Sequence, residues 1–132
     1  MLMPPVDRYM TRVPITIEPD SSVATARELM TLRMIHHLPV VERGNLVGIL
    51  SERDVQVLAS VPGIDLSHVE ISSVMGKPHA VWTETGLDTV SELMRDQKCD
   101  CVLVRDRGGL KGIFTVVDAL GALDDVLQRA TA

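Results

Sequence analysis

Apolar and polar positions follow two different periods along the chain, and the periods change in the same order twice. Val23, Ala26, Leu29, Met30 and Met34 recur at helical spacing behind Asp20, Ser21 and Ser22, whose side-chain oxygens can cap a helix. Leu87, Val90, Leu93 and Met94 reproduce that stripe in the second half. Short apolar runs at residues 38–41 and 46–50 flank Arg43, Gly44 and Asn45, a hairpin pattern because Gly and Asn accept a positive φ. Runs at 102–104 and 110–114 flank Gly108 and Gly109 in the same way. A short strand is predicted before each helix, at residues 15–18 and 80–82, and a closing helix after each hairpin, at 52–59 and 116–129. Residues 61–68 connect the two halves.

A direct comparison of the halves makes the repeat quantitative. Sliding the chain by 64 aligns residues 16–55 with 80–119 without a gap and gives eleven identities in forty positions. Average composition would give about two or three. The identities include Glu28/Glu92, Leu29/Leu93, Met30/Met94, Gly48/Gly112, Ile49/Ile113 and Asp54/Asp118. Upstream, Val6 to Met10 match Ile71 to Met75 at a spacing of 65. Each half therefore reads β-α-β-β-α, an α/β class with a small three-stranded sheet and two helices. The expected division is residues 1–61 and 62–132. About sixty residues cannot cover both faces of a sheet alone, so the halves are expected to share a core about a pseudo-two-fold axis. Val117, Leu120, Leu123, Val126 and Leu127 give the last helix more apolar surface than one sheet needs, which points to a subunit interface and a homodimer.

Composition removes several classes. With 45% apolar and 23% charged residues the chain is globular rather than disordered. No apolar run approaches the ~18 residues of a membrane span, and residues 1–5 lack the basic start of a signal peptide, so a cytoplasmic protein is expected. A net charge of −5 and only three aromatics argue against nucleic-acid binding. Cys99 and Cys101 are too close for a structural framework and read as reduced thiols; no zinc-binding pattern accompanies them.

The residues that carry chemistry lie at the end of each hairpin. Gly48-Ile49-Leu50-Ser51-Glu52-Arg53-Asp54 is echoed by Gly112-Ile113-Phe114-Thr115-Val116-Val117-Asp118. A glycine lets a ligand approach the strand backbone. A hydroxyl at the helix start and a carboxylate three residues on put two oxygens on one side of the first turn, where the helix N-terminus favours an anion. Ser51/Asp54 and Thr115/Asp118 are also capping-box spacings, so helix capping is the competing reading. His36, His37, Ser51 and Asp54 can be drawn as a catalytic triad, but neither a nucleophile elbow nor a phosphate-binding glycine loop accompanies them, and no enzyme is expected. The single Trp82 suits base stacking or core packing.

The Met10 that closes a short N-terminal segment, the Glu28-Leu29-Met30 helix, His36-His37-Leu38-Pro39-Val40-Val41 and Gly48-to-Asp54 together resemble the cystathionine-β-synthase (CBS) domain. Two in tandem resemble a Bateman module over about residues 6–128, the second half more loosely, since Asp100-Cys101-Val102-Leu103 replaces the usual basic-Leu-Pro-Val pattern. The resemblance implies regulatory binding of AMP, ADP, ATP or S-adenosylmethionine in the cleft between the motifs, with no cofactor required, and a conformational signal to a regulated partner of unknown identity. It implies that Asp54 and Asp118 accept ribose hydroxyls and that Ser51 and Thr115 contact ribose or phosphate. Pro14, Ile15 and Thr16, and in the second half His79, Ala80 and Val81, would contact the base. His36 and His37, with Arg53, would face phosphates; the alternative for the histidines is a polar helix end. The alternatives are an interaction or scaffold protein of this fold without nucleotide and, from another class, a small hydrolase or transferase.

Overall fold

The structure, a computed structural model, describes residues 3–12 and 15–131. It divides into two compact units that do not follow the chain order of the repeats. The central unit is Ile15–Pro78; the terminal unit combines Met1–Pro14 with His79–Ala132. The expected cut after residue 61 thus tracks the sequence repeat, while the packing assigns the segment before each repeat to the unit of the other.

The reason is a reciprocal exchange of short segments. A 3-10 turn at Val6–Arg8 buries Val6 completely in the terminal core, and one at Ile71–Ser73 buries Ile71 completely in the central core. The backbone bonds that hold them are equivalent. Val6 N–H donates to the Thr85 carbonyl at 2.8 Å and Ile71 N–H to that of Ser21 at 2.9 Å. Asp7 N–H and Ser72 N–H reach the carbonyls of Thr83 and Pro19. Burying one such aliphatic side chain contributes about 1.5–3 kcal/mol, enough to anchor a segment too short to hold itself.

In the terminal unit, β1 (Thr11–Arg12), β4 (Ala80–Trp82), β5 (Cys101–Asp106) and β6 (Gly109–Thr115) form a four-stranded sheet of order β1-β6-β5-β4. The expected three strands are present, and the exchanged β1 adds a fourth. In the central unit only β2 (His37–Glu42) and β3 (Asn45–Ser51) form a ladder. The expected strand at 15–18 is reduced to one parallel bridge, Ile17 to Val40, and the place of β1 to one antiparallel bridge, Gly76 to Ile49. Both hairpins carry a register irregularity at the same repeat position, after Val40 and after Val104.

Helices α1 (Val23–Arg33) and α2 (Glu52–Ala59) belong to the central unit, α3 (Leu87–Gln97) and α4 (Val116–Thr131) to the terminal one. Ser22 caps α1 by accepting from Thr25 N–H at 3.1 Å. Helix α1 ends where Met34 turns left-handed at φ 55°, as α3 does at Lys98. Met34 therefore leaves the expected core stripe and is exposed, whereas Met30 and Met94 are buried. Tyr9 ties the exchanged N-terminal segment to α4 through a 2.5 Å bond from its hydroxyl to Asp125 Oδ2, which raises the phenol pKa. No helix among the described residues is long and apolar enough to cross a membrane.

Candidate functional site

In each unit the hairpin's second strand runs straight into the closing helix, and the handover carries the predicted residues. Ser51 ends β3 opposite His37, the first residue of β2. Ile17 pairs in parallel with Val40 on the other side of β2, so Ile15, two residues earlier, is level with Leu38. Ile15, His37 and Ser51 consequently lie at one end of the central sheet. Ile15 is half-buried and Thr16 exposed; Pro14 lies outside the described residues. The terminal unit repeats the arrangement. Thr115 pairs with Cys101, and Ala80 with Leu103, which brings half-buried His79 to the same end. Val81 is a different case. It matches core residue Ile17 at the repeat spacing, and its side chain is buried in the terminal core.

The first backbone donors of each closing helix are largely consumed by the chain. Glu52 N–H donates to the His36 carbonyl at 2.8 Å, and Val116 N–H to that of Asp100 at 3.1 Å. Ser51 Oγ accepts from Asp54 N–H at 3.1 Å, and Asp54 Oδ2 accepts from Ser51 N–H at 3.4 Å, completing the capping box. Among the described residues this leaves Arg53 N–H in the first turn of α2, beside an exposed Arg53 side chain. It also leaves Asp54 Oδ1 uncommitted.

Asp118 is more heavily engaged. Its Oδ2 accepts from Thr115 N–H at 2.9 Å and from Thr115 Oγ1 at 3.2 Å. The Thr11 hydroxyl spans both carboxylate oxygens, 3.2 Å from Oδ1 and 3.4 Å from Oδ2. Thr11 is the residue that sequence reasoning missed. It lies outside the aligned repeats, 107 positions from its partner.

The two glycines answer to packing. A β-carbon on Gly48 would press on the Met75 side chain, with Cγ at 2.8 Å. One on Gly112 would meet Met10 Cγ at 3.0 Å and the Thr11 carbonyl oxygen at 2.7 Å. The space a β-carbon would take is filled by methionines of the exchanged segments, whose match at spacing 65 was the available signal.

The adjacent histidines part company. His36 is exposed and its Nδ1 is hydrogen-bonded to Glu52 Oε2. It lines a groove of about 740 Å³ between α1 and α2, with Arg27, Met30, Val55 and Gln56. Ser51 and Asp54 do not line that groove, so His36 is not brought together with them there. His37 is half-buried at the register of Ser51. Trp82 is neither a core residue nor free: it is about half exposed, with the Arg105 guanidinium 4.8 Å from its ring centroid. Cys99 and Cys101 are free thiols. Burial pushes Cys101 up to about 12 and raises Cys99 as well, which makes both poor nucleophiles.

A model of the CBS domain matches residues 6–58 and again 71–125. The chain belongs to the CBS domain family. Inosine-5'-monophosphate dehydrogenase of Thermoplasma acidophilum is 32% identical over 106 residues, covering 80% of this chain and 21% of that protein. The chain thus spans about a fifth of the length of the dehydrogenases it matches. The CBS domain-containing protein YhcV of Bacillus subtilis is 29% identical over 122 residues, 88% of this chain and 83% of YhcV. Among solved structures, CBSX2 in complex with AMP is similar with a TM-score of 0.81 at 25% identity, covering 92% of this chain and 97% of that one. The tandem CBS pair accounts for the α/β fold, the two equivalent handovers and the repeated hairpin irregularity.

Proposed function

We propose that this CBS pair is a regulatory, non-catalytic module that binds an adenosine-containing nucleotide and transmits its occupancy to a partner. The observation that carries the reading is Asp54, a carboxylate at the strand-to-helix handover with one oxygen left for a ribose hydroxyl. Arg53 N–H and the Arg53 guanidinium give the same turn donors for phosphate. The AMP complex of CBSX2 supports the ligand class. Signalling requires that the nucleotide bind one arrangement of the protein better than another. A thermal-shift screen with AMP, ADP, ATP, S-adenosylmethionine and NAD tests this. A ligand at a hundred times its Kd stabilises by about 2.7 kcal/mol, so a rise of several degrees is expected with at least one adenine nucleotide. No shift with any of them would favour a nucleotide-free interaction module, and turnover of one would favour an enzyme.

The module is further proposed to be a homodimer. Val117, Leu120, Leu123, Val126 and Leu127 are all exposed on α4, an apolar concentration that monomers rarely leave in water. Light scattering at micromolar concentration should give twice the 14.4 kDa chain mass; a monomeric mass would refute it.

A further inference from the structure

The spacing of 65 that relates the exchanged segments places Thr11 and Gly76 in correspondence, and the pairing confirms it independently. Thr11 pairs with Ile113 and Gly76 with Ile49, and those isoleucines are themselves equivalent across the repeat. The two positions are therefore equivalent in pairing, one with a hydroxyl and one without a side chain. At Asp118 the hydroxyl is used: Thr11 Oγ1 sits 3.2 Å from Oδ1 and 3.4 Å from Oδ2. At Asp54 no such donor is present among the described residues, and Oδ1 stays open.

We propose that Thr11 is a specificity residue that occupies, from within the chain, the place a ribose hydroxyl would take on Asp118. The inference rests on the nucleoside reading above and says which of the two sites it applies to. An alcohol donating to a carboxylate is the same interaction whether the alcohol belongs to threonine or to ribose. The threonine has the advantage of being tethered. Residue 11 is held in register with Ile113, and Met10 is packed over Gly112, so the hydroxyl is present at high effective concentration without any ordering on binding. A ribose hydroxyl that takes the threonine's place on Oδ1 gains no net hydrogen bond in doing so. The Thr115/Asp118 site is closed to nucleosides, and the Ser51/Asp54 site is the one that binds.

Reciprocal exchange of the two residues tests this in the full chain, with AMP as the probe in calorimetric titration. Wild type should bind one AMP per chain. Thr11→Val keeps the β-branched shape, removes the hydroxyl and should reveal a second equivalent, with affinity at Asp118 at least tenfold tighter than in wild type. Thr11→Ser restores a hydroxyl and should return the stoichiometry to one. Gly76→Thr is an independent arm. A β-carbon there meets nothing nearer than Ile49 at 3.8 Å, so the fold accommodates it, and its hydroxyl should weaken the wild-type site at least tenfold. Two equivalents in wild type, or one in Thr11→Val together with an unchanged site in Gly76→Thr, would overturn the role of Thr11 while leaving the nucleoside reading intact. No AMP binding by wild type or by Thr11→Val would overturn both.

Discussion

Asp54 and Asp118 stand 64 residues apart, each three positions after the hydroxyl that opens its closing helix, and they carry different loads. Asp54 accepts one long backbone bond of 3.4 Å. Asp118 accepts from Thr115 N–H, from the Thr115 hydroxyl and from the Thr11 hydroxyl. A carboxylate already engaged by the chain has fewer lone pairs to offer a ligand than one left open. Repetition of a motif is therefore weak evidence for repetition of its chemistry. At Asp118 a segment from the far end of the chain supplies one of those donors.

The sharpest way to break this comparison is to remove each carboxylate in turn. Asp54→Ala should weaken AMP binding by about 1.5–3 kcal/mol, roughly tenfold to a hundredfold, the range for hydrogen bonds to a charged group. Asp118→Ala should leave that affinity level and lower stability instead, by about 1 kcal/mol for the lost cap. Calorimetric titration paired with urea unfolding separates the two outcomes. Equal losses of affinity in both variants would show that the carboxylates are interchangeable, and the reverse ranking would show that the open oxygen of Asp54 is irrelevant.

What could be read in the chain and what could not divide along the same line. Helices, hairpins and the handover motif were legible because each is specified within a dozen residues: the stripe from Val23 to Met30, the turn at Arg43 and Gly44, the spacing of Ser51 and Asp54. The segment exchange was not legible. β1 is two residues long and has no period to detect, and its pairing with β6 is a tertiary fact. Val81 stands one position beyond the equivalent of Thr16, and strand alternation sends its side chain into the core, a distinction between neighbours that the repeat alone does not rank. Met34 followed the apolar stripe in sequence but is itself the left-handed stop, where helical spacing no longer places side chains. The separation of His36 from His37 needed Glu52, sixteen residues downstream, to hold one imidazole in the groove between α1 and α2.

A smaller effect sharpens the comparison at the two glycines. Gly48 and Gly112 are equivalent in the repeat, and both lie under a methionine from an exchanged segment, so an added methyl group collides in either unit. What it collides with differs. At Gly48 the obstacle is a flexible side chain, Met75, which can turn about χ1 and χ2 to carry its Cγ and sulfur away from the methyl group. At Gly112 the Thr11 carbonyl oxygen stands 2.7 Å from the new carbon, and a backbone atom held in register cannot rotate away. Relief there requires β1 to lift from β6, which would also draw the Thr11 hydroxyl off Asp118. Overpacking of this kind costs about 1–3 kcal/mol. Gly112→Ala should fall near the top of that range and Gly48→Ala near the bottom, a difference of about 1–2 kcal/mol in urea unfolding. The same displacement gives the pair a second readout, since Gly112→Ala should loosen the closed site and admit AMP weakly at Asp118, whereas Gly48→Ala should not. Equal destabilisation by the two alanines would mean that β1 yields as easily as a methionine side chain, and the hydroxyl it carries would then be no barrier to a ribose.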